Sequence, residues 1–502
     1  MPRTRPSRPF GRTLVVGLLA LAVALVPGLA GATPTAGNRT GQDAGASRPA
    51  TYAADAASRR AAAGRLAAAR SALAGDGRDA TEALRQLRMA RSSLDRADRR
   101  AADRLLARPA SRKRSCTVVC VHWSTSGRHR ATTAWAKRVL AITGSVHRTL
   151  TTAGYRSPKA DGTVGGNAKT DVYVQDLDDG LYGYCTSDQK TKAFDVWAYC
   201  VVDNDYRGFP TGTPLQNLQV TVAHEYFHAV QFAYDSYEDT WLLEGSAAWV
   251  EEALFDAVDD NRQYLSSSPL SHPGRPMDRS GGTFHYGTWL FFEHLAGVLP
   301  EREGGLPVVV RDIWRAADAR KGAPDLHSTD AVSAVLEAAG TDLPSTFAGF
   351  ATANRRPAEW YAEGSATEYD PAPAAETATL ALGAPTTWSP RVDHLTSATL
   401  AAKPPASATS AAIVVDLPAS GAVRAVATVV LTDGTSSSYL IPLDGAGHGT
   451  ATAPFAAGSV IAVEVTVANA DVRYECWQRT DFACGGRPLG DGQGARVQVT
   501  AR

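Results

Sequence analysis

Between Ala53 and Arg108 leucines recur at helical spacing (Leu66, Leu73, Leu84, Leu87, Leu94, Leu105) in a background of alanine and arginine. The pattern predicts helices, and Gly75-Asp76-Gly77 interrupts it, so a helical hairpin is expected. Val118 to Trp123 reads as a strand and Thr132 to Thr152 as an amphipathic helix. Lys169 to Asp176 alternates as a half-buried strand, and Phe194 to Val202 forms a further apolar run. A small α/β layer is therefore expected ahead of residue 213. From Leu215 the apolar positions shift to helical periodicity at Leu218, Val222, Tyr226 and Val230. Thr213, Pro214 and Gln216 form a helix start signal, and Asp235-Ser236 a stop.

A second helix is predicted from Trp241 through Glu252. A third covers Thr283 to Leu295, after the Gly/Pro/Ser-rich stretch 266–282. Helices near Val308–Ala319, Asp330–Ala339 and Leu343–Asn354 complete a helical subdomain. Past Arg356 the pattern changes to proline, alanine and threonine up to about Pro390. Short β-rich runs follow: Ala411–Asp416, Ala425–Thr432, Ser438–Ile441, Val460–Val467 and Arg496–Thr500. Strands so spaced, with glycine turns between them, predict an all-β sandwich.

Charge adds a division that hydropathy does not show. Lys+Arg and Asp+Glu are equal at 51 each over 502 residues, yet residues 33–114 carry 18 basic and 8 acidic side chains. The remainder is acidic. A polyanion such as nucleic acid is not an expected partner; the basic N-terminal segment reads either as a pro-segment docking on an acidic body or as a solvated helical stalk. Residues 1–32 combine Arg3, Arg5, Arg8 and Arg12 with an apolar core, Leu14–Val26, and small residues at Ala30-Gly31-Ala32. This is the anatomy of an export signal and is too short for a stable membrane anchor. The expected location is extracellular. Six cysteines fit an oxidising destination, with Cys185–Cys200 and Cys476–Cys484 as the natural local pairs. Cys116 and Cys120 are a poorer pair if Thr117-Val118-Val119 is extended, because four strand steps span about 13 Å. A disulfide needs less than about 7 Å between Cα atoms.

The chemistry centres on His224-Glu225-Tyr226-Phe227-His228. Histidines four apart on a helix share one face and can hold one metal ion, with the intervening glutamate placed as proton acceptor. A catalytic zinc takes a third protein ligand. Glu244 is the best candidate, because Gly245, Ala247 and Ala248 would let its helix approach closely. Glu251, two turns on, is placed to orient an imidazole. Glu238 and Glu252 are expected to face solvent. Tyr286, with His285 second, could donate a hydrogen bond to an oxyanion. Asp176, Asp178, Asp179, Asp203 and Asp205 could ligate calcium, but their spacing matches no calcium loop and solvated turns are favoured.

His224-Glu225-Tyr226-Phe227-His228, then Trp241-Leu242-Leu243-Glu244-Gly245-Ser246-Ala247, then Tyr286-Gly287, resemble the gluzincin metallopeptidases, a clan that includes thermolysin, the large zinc aminopeptidases and secreted bacterial metalloproteases with a trailing β-domain. The resemblance covers roughly residues 116–355. It implies zinc on His224, His228 and Glu244, Glu225 as general base, and Tyr286 stabilising the tetrahedral intermediate. Fifteen residues separate His228 from Glu244, slightly fewer than is usual in the clan. The aminopeptidases' Gly-x-Met-Glu-Asn motif is absent, which favours an endopeptidase acting on protein or peptide substrates. The expected fold is α+β: an export signal (1–32), a basic helical hairpin as candidate pro-segment (33–114), a zincin-like domain with a small sheet and helical subdomain (115–356), a linker (357–390) and a β-sandwich (391–502). The rival expectation is a secreted binding protein or adhesin whose metal site is not catalytic.

Overall fold

A computed structural model describes residues 56–502, except 76, 178–179, 191–192 and 365–368. The expected export signal lies outside the described residues, as do Asp178 and Asp179. Among the described residues no helix is long and apolar enough to cross a membrane.

The N-terminal segment forms three helices rather than a hairpin: α1 (Ala56–Leu73), α2 (Thr81–Ala90) and α3 (Arg96–Leu105). The second break comes because Asp95 caps a new helix, its side chain accepting the N–H of Asp98. A five-stranded sheet follows, built from β1 (Lys113–Cys116), β2 (Cys120–Trp123), β3 (Asp171–Gln175), β4 (Gly183–Thr186) and β5 (Tyr199–Asp203). Its spatial order is β1-β2-β3-β5-β4, parallel through β2-β3-β5 and antiparallel at both ends. α4 (Thr133–Thr152), capped by Thr132, crosses between β2 and β3.

The expected obstacle to a Cys116–Cys120 bond is absent. Thr117-Val118-Val119 is a turn closed by Thr117 N–H on Val119 O, so the two cysteines face each other across β1 and β2 with Cα atoms 4.1 Å apart. Cys185–Cys200 links β4 to β5 in the same cross-strand manner, and Cys476–Cys484 closes a loop near the C-terminus.

Strand alternation gives the sheet two buried faces. Val172, Val174, Cys200 and Val202 join the main core, while Tyr173, Tyr184, Tyr199 and Val201 pack with Leu66, Leu84, Leu87, Leu94 and Leu106 of the N-terminal segment. On the main-core side lies α5 (Pro214–Tyr234), whose expected capping box of Thr213 and Gln216 is formed in both directions. α6 (Thr240–Phe255) packs along it. The predicted helix over 283–295 is split into α7 (Phe284–Gly287) and α8 (Trp289–Val298). A two-residue-per-strand hairpin, β6 (Arg302–Glu303) and β7 (Leu306–Pro307), precedes α9 (Val308–Ala316), α10 (Thr329–Ala338), α11 (Leu343–Asn354) and α12 (Pro357–Trp360).

The C-terminal region is β-rich and begins earlier than expected, since β8 (Glu376–Thr379) and β9 (Pro385–Trp388) lie in the presumed linker. After β10 (Arg391–Val392) come β11 (Thr396–Lys403), β12 (Ser410–Asp416), β13 (Val423–Leu431), β14 (Ser436–Leu440), β15 (His448–Pro454) and β16 (Val460–Asn469). Three two-residue strands, β17 (Tyr474–Glu475), β18 (Arg487–Pro488) and β19 (Gln493–Gly494), precede β20 (Arg496–Ala501). A five-stranded sheet, β14-β13-β16-β11-β8, and a four-stranded one, β15-β12-β20-β9, share a core of alternating inward residues such as Ile413, Val415, Val465 and Val497.

Candidate metal centre

α5 presents His224 and His228 on one face, their rings 4.6 Å apart. Glu244, on the facing turn of α6, brings Oε2 to 3.1 Å from His224 Nε2 and 3.4 Å from His228 Nε2. All three side chains are buried. Each imidazole is oriented from its other nitrogen. His224 Nδ1 lies 2.6 Å from Glu251 Oε1, and His228 Nδ1 lies 2.6 Å from Gln231 Oε1. Gln231 is itself held, donating Nε2–H to Leu243 O and Ser246 Oγ. Such partners fix ring orientation and leave the Nε2 atoms to face a common point.

A fourth group arrives from an unexpected place. Asp79, in the break between α1 and α2, joins His224, His228 and Glu244, and one ligand atom from each of the four lies within 4.8 Å of the others. Asp79 Oδ2, Glu244 Oε1 and His228 Nε2 are buried and have no hydrogen-bond partner. Buried polar atoms are rarely left unpaired, so their convergence fits a cation between them. The electrostatics agree. Burial, and next the neighbouring Glu244, push the Asp79 carboxyl up to about 6. Burial opposes the Glu244 carboxylate too, but the two imidazoles hold it well below the usual carboxylate range. A crowd of carboxyl groups sharing little solvent is what a bound cation would neutralise. This buried His/His/Glu/Asp group could hold a metal ion.

Glu225 points to the edge of the sheet. Its carboxyl is buried and its Oε2 accepts the hydroxyl of Thr81 at 3.0 Å. Burial, then Asp79, push its pKa well above the ordinary value. Gly183 of β4 makes this approach possible, because a Cβ there would sit 3.0 Å from Glu225 Cγ and 2.8 Å from Thr221 Cγ2. Gly245 has a different role from the one expected. The space beside it is taken not by α5 but by Thr288 and Phe292, with which a Cβ would collide, so it sets the spacing of α6 from the α7–α8 corner.

Tyr286 lines the same pocket as Glu225 and His224. Its ring stacks on Tyr264 at 5.0 Å and lies 5.9 Å from that of His224. Burial raises its phenol pKa strongly, so it stays a protonated donor. His285 stands beside it, 4.5 Å between rings, and its Nδ1 accepts Gly281 N–H. Burial lowers its pKa. Glu251, pushed by burial to about 7, also lines the pocket.

Two expectations are corrected. Glu238 does not face solvent: it is inaccessible, accepts Ser328 N–H at 2.8 Å and lies 3.2 Å from His327. Glu252 is half-buried near Asp256 and Glu363, and desolvation raises its carboxyl to about 9. The calcium candidates resolve differently. Asp203 is buried and used within the fold, its carboxyl accepting the N–H groups of Leu177, Asp205 and Tyr206. The residues that sequence reasoning missed are Asp79, Thr81, Gln231 and Tyr264. The one signal for Asp79 was an acid placed in the only Gly-rich break of a basic helical segment. No protein-family model matches this chain, and no curated protein is significantly similar to it.

Proposed function

We propose that the chain is an exported zinc metallopeptidase of zincin-like fold, acting as an endopeptidase on protein or peptide substrates. The observation that carries the reading is the convergence of His224, His228 and Glu244 on one point, with Glu225 on the same helix beside it. Two neutral nitrogens and one carboxylate form the donor set of a catalytic zinc site, and no thiolate competes, since all six cysteines are in disulfides. Zinc held there supplies a Lewis acid for the carbonyl and for water. The chain's own residues do the rest. Glu225, with its raised pKa, accepts a proton at its carboxylate and returns it to the leaving amine. Tyr286 donates its hydroxyl hydrogen to the developing oxyanion. Glu251 and Gln231 hold the imidazoles in place.

Metal analysis of the secreted protein, with casein cleavage measured with and without chelator, tests the reading. One zinc per chain is expected, with chelator-sensitive cleavage by the form freed of the N-terminal segment. Glu225→Gln should keep the zinc and lose about 10²–10⁴-fold in rate. Full activity in that variant would reject the assignment.

A further inference from the structure

The same segment that supplies Asp79 also fills the surroundings of the site. Arg78 O accepts Tyr182 N–H at 2.8 Å, and Asp79 forms a parallel β-bridge with Gly183. The second contact is with β4 and the first with the residue just before it; β4 is the outermost strand of its sheet. A free strand edge is where an extended peptide adds to a sheet. Two residues on, Thr81 Oγ accepts Cys185 N–H at 2.8 Å and donates to Glu225 Oε2. Arg78 is fixed by Asp260 at 2.9 Å, by Gln263 and by the face of Tyr182 at 3.9 Å. What remains among Arg78, Asp79, His224, Glu225 and Tyr286 is a pocket of ≈ 20 Å³, room for about one water molecule.

We propose that residues 78–81 are a built-in plug: Asp79 is a fourth protein ligand to the metal, and the backbone around it occupies the sheet edge that an extended substrate would use. The proposal rests on the zinc peptidase reading. A catalytic zinc keeps one coordination position open; Asp79 closes it, and Thr81 ties up Glu225. The shape is that of an inhibitory peptide carried in the same chain, held by Asp79 Oδ1 accepting Thr81 N–H at 2.7 Å at the start of α2. Removal of the segment, or its displacement, would restore the open position without altering His224, His228 or Glu244.

Cobalt(II) substitution of the full chain, read by visible absorption, tests this with acetohydroxamate as the probe of an open position. The intact chain should bind cobalt and respond weakly to the probe. Asp79→Ala should bind the probe at least about tenfold more tightly. Asp79→Asn, which keeps the acceptor for Thr81 N–H, serves if the alanine variant does not fold. Cobalt lost from the variants alone would also put Asp79 on the metal. Equal probe binding by intact and variant proteins, both holding cobalt, would overturn the plug and leave the peptidase reading standing. Absence of cobalt from every form would overturn both.

Discussion

Leu84 and Leu87 near the N-terminus and Leu395 and Ala468 near the C-terminus are all nearly inaccessible, yet they belong to different cores. The leucines of the N-terminal helices cluster with one another, with Leu181 and with Tyr173, Tyr184, Tyr199 and Val201 of the five-stranded sheet. Leu395, Val426, Ala468 and Ala470 of the β region are part of the same apolar cluster as α5, α6 and α8. Buried charges reinforce the second attachment. Glu464 on β16 pairs with Arg355 and Arg356 after α11, and Asp278 receives His394, Tyr474 and Ala483 N–H. The N-terminal segment has its own buried ionic anchor, Arg108 among Asp161, Asp171 and Asp188, but its apolar side chains form a separate core. A layer with its own core can detach as a unit, whereas a region that shares the main core cannot leave without opening it.

The sharpest way to break this contrast is Glu464→Ala. It strands two guanidiniums and should cost about 3–5 kcal/mol of global stability by denaturant unfolding; a loss under about 1 kcal/mol would mean the β region is merely tethered. Next comes Leu84→Ala, which removes a fully buried side chain worth about 2–5 kcal/mol. That loss should stay local, seen as faster proteolysis within residues 56–108 with the main unfolding midpoint unmoved. A lowered midpoint would show the two cores to be one. The smallest effect is expected from His394→Gln, about 1.5–3 kcal/mol where the imidazole is charged. Burial opposes that charge, but Asp278 and Asp491 raise the folded pKa. The stabilisation is therefore complete below the unfolded value of about 6.5 and fades as pH rises through the folded one. Unfolding at pH 5.5 and pH 9 should show the larger penalty at the lower pH.

Much of the site's α-helical half was readable in the chain. Thr213 and Gln216 announce α5, and the spacing of Glu244 and Glu251 along α6 puts one carboxyl at both imidazoles and the other behind His224. The remainder depends on contacts between distant residues. Asp79 and Thr81 meet α5 across about 145 positions, and an acid beside a Gly-rich break, the one local signal, is equally that of a solvated turn. β4 was missed because Gly183-Tyr184-Cys185-Thr186 is short and buried on both faces, leaving no alternation to detect. The β-branched Val118 and Val119 favoured an extended reading where a disulfide and a turn decide otherwise. β15 eluded detection because its Ala and Thr residues carry little hydropathic contrast.

The bridge between Asp79 and β4 has one more consequence, for behaviour at high concentration. A strand edge stripped of its cover offers N–H and C=O groups to any neighbouring molecule, including another copy of itself. While Arg78 and Asp79 lie against Tyr182 and Gly183, part of that edge is already paired. The chain with its N-terminal helices in place thus exposes less strand edge than one stripped of them, which would be the form more prone to pair edge to edge at high concentration.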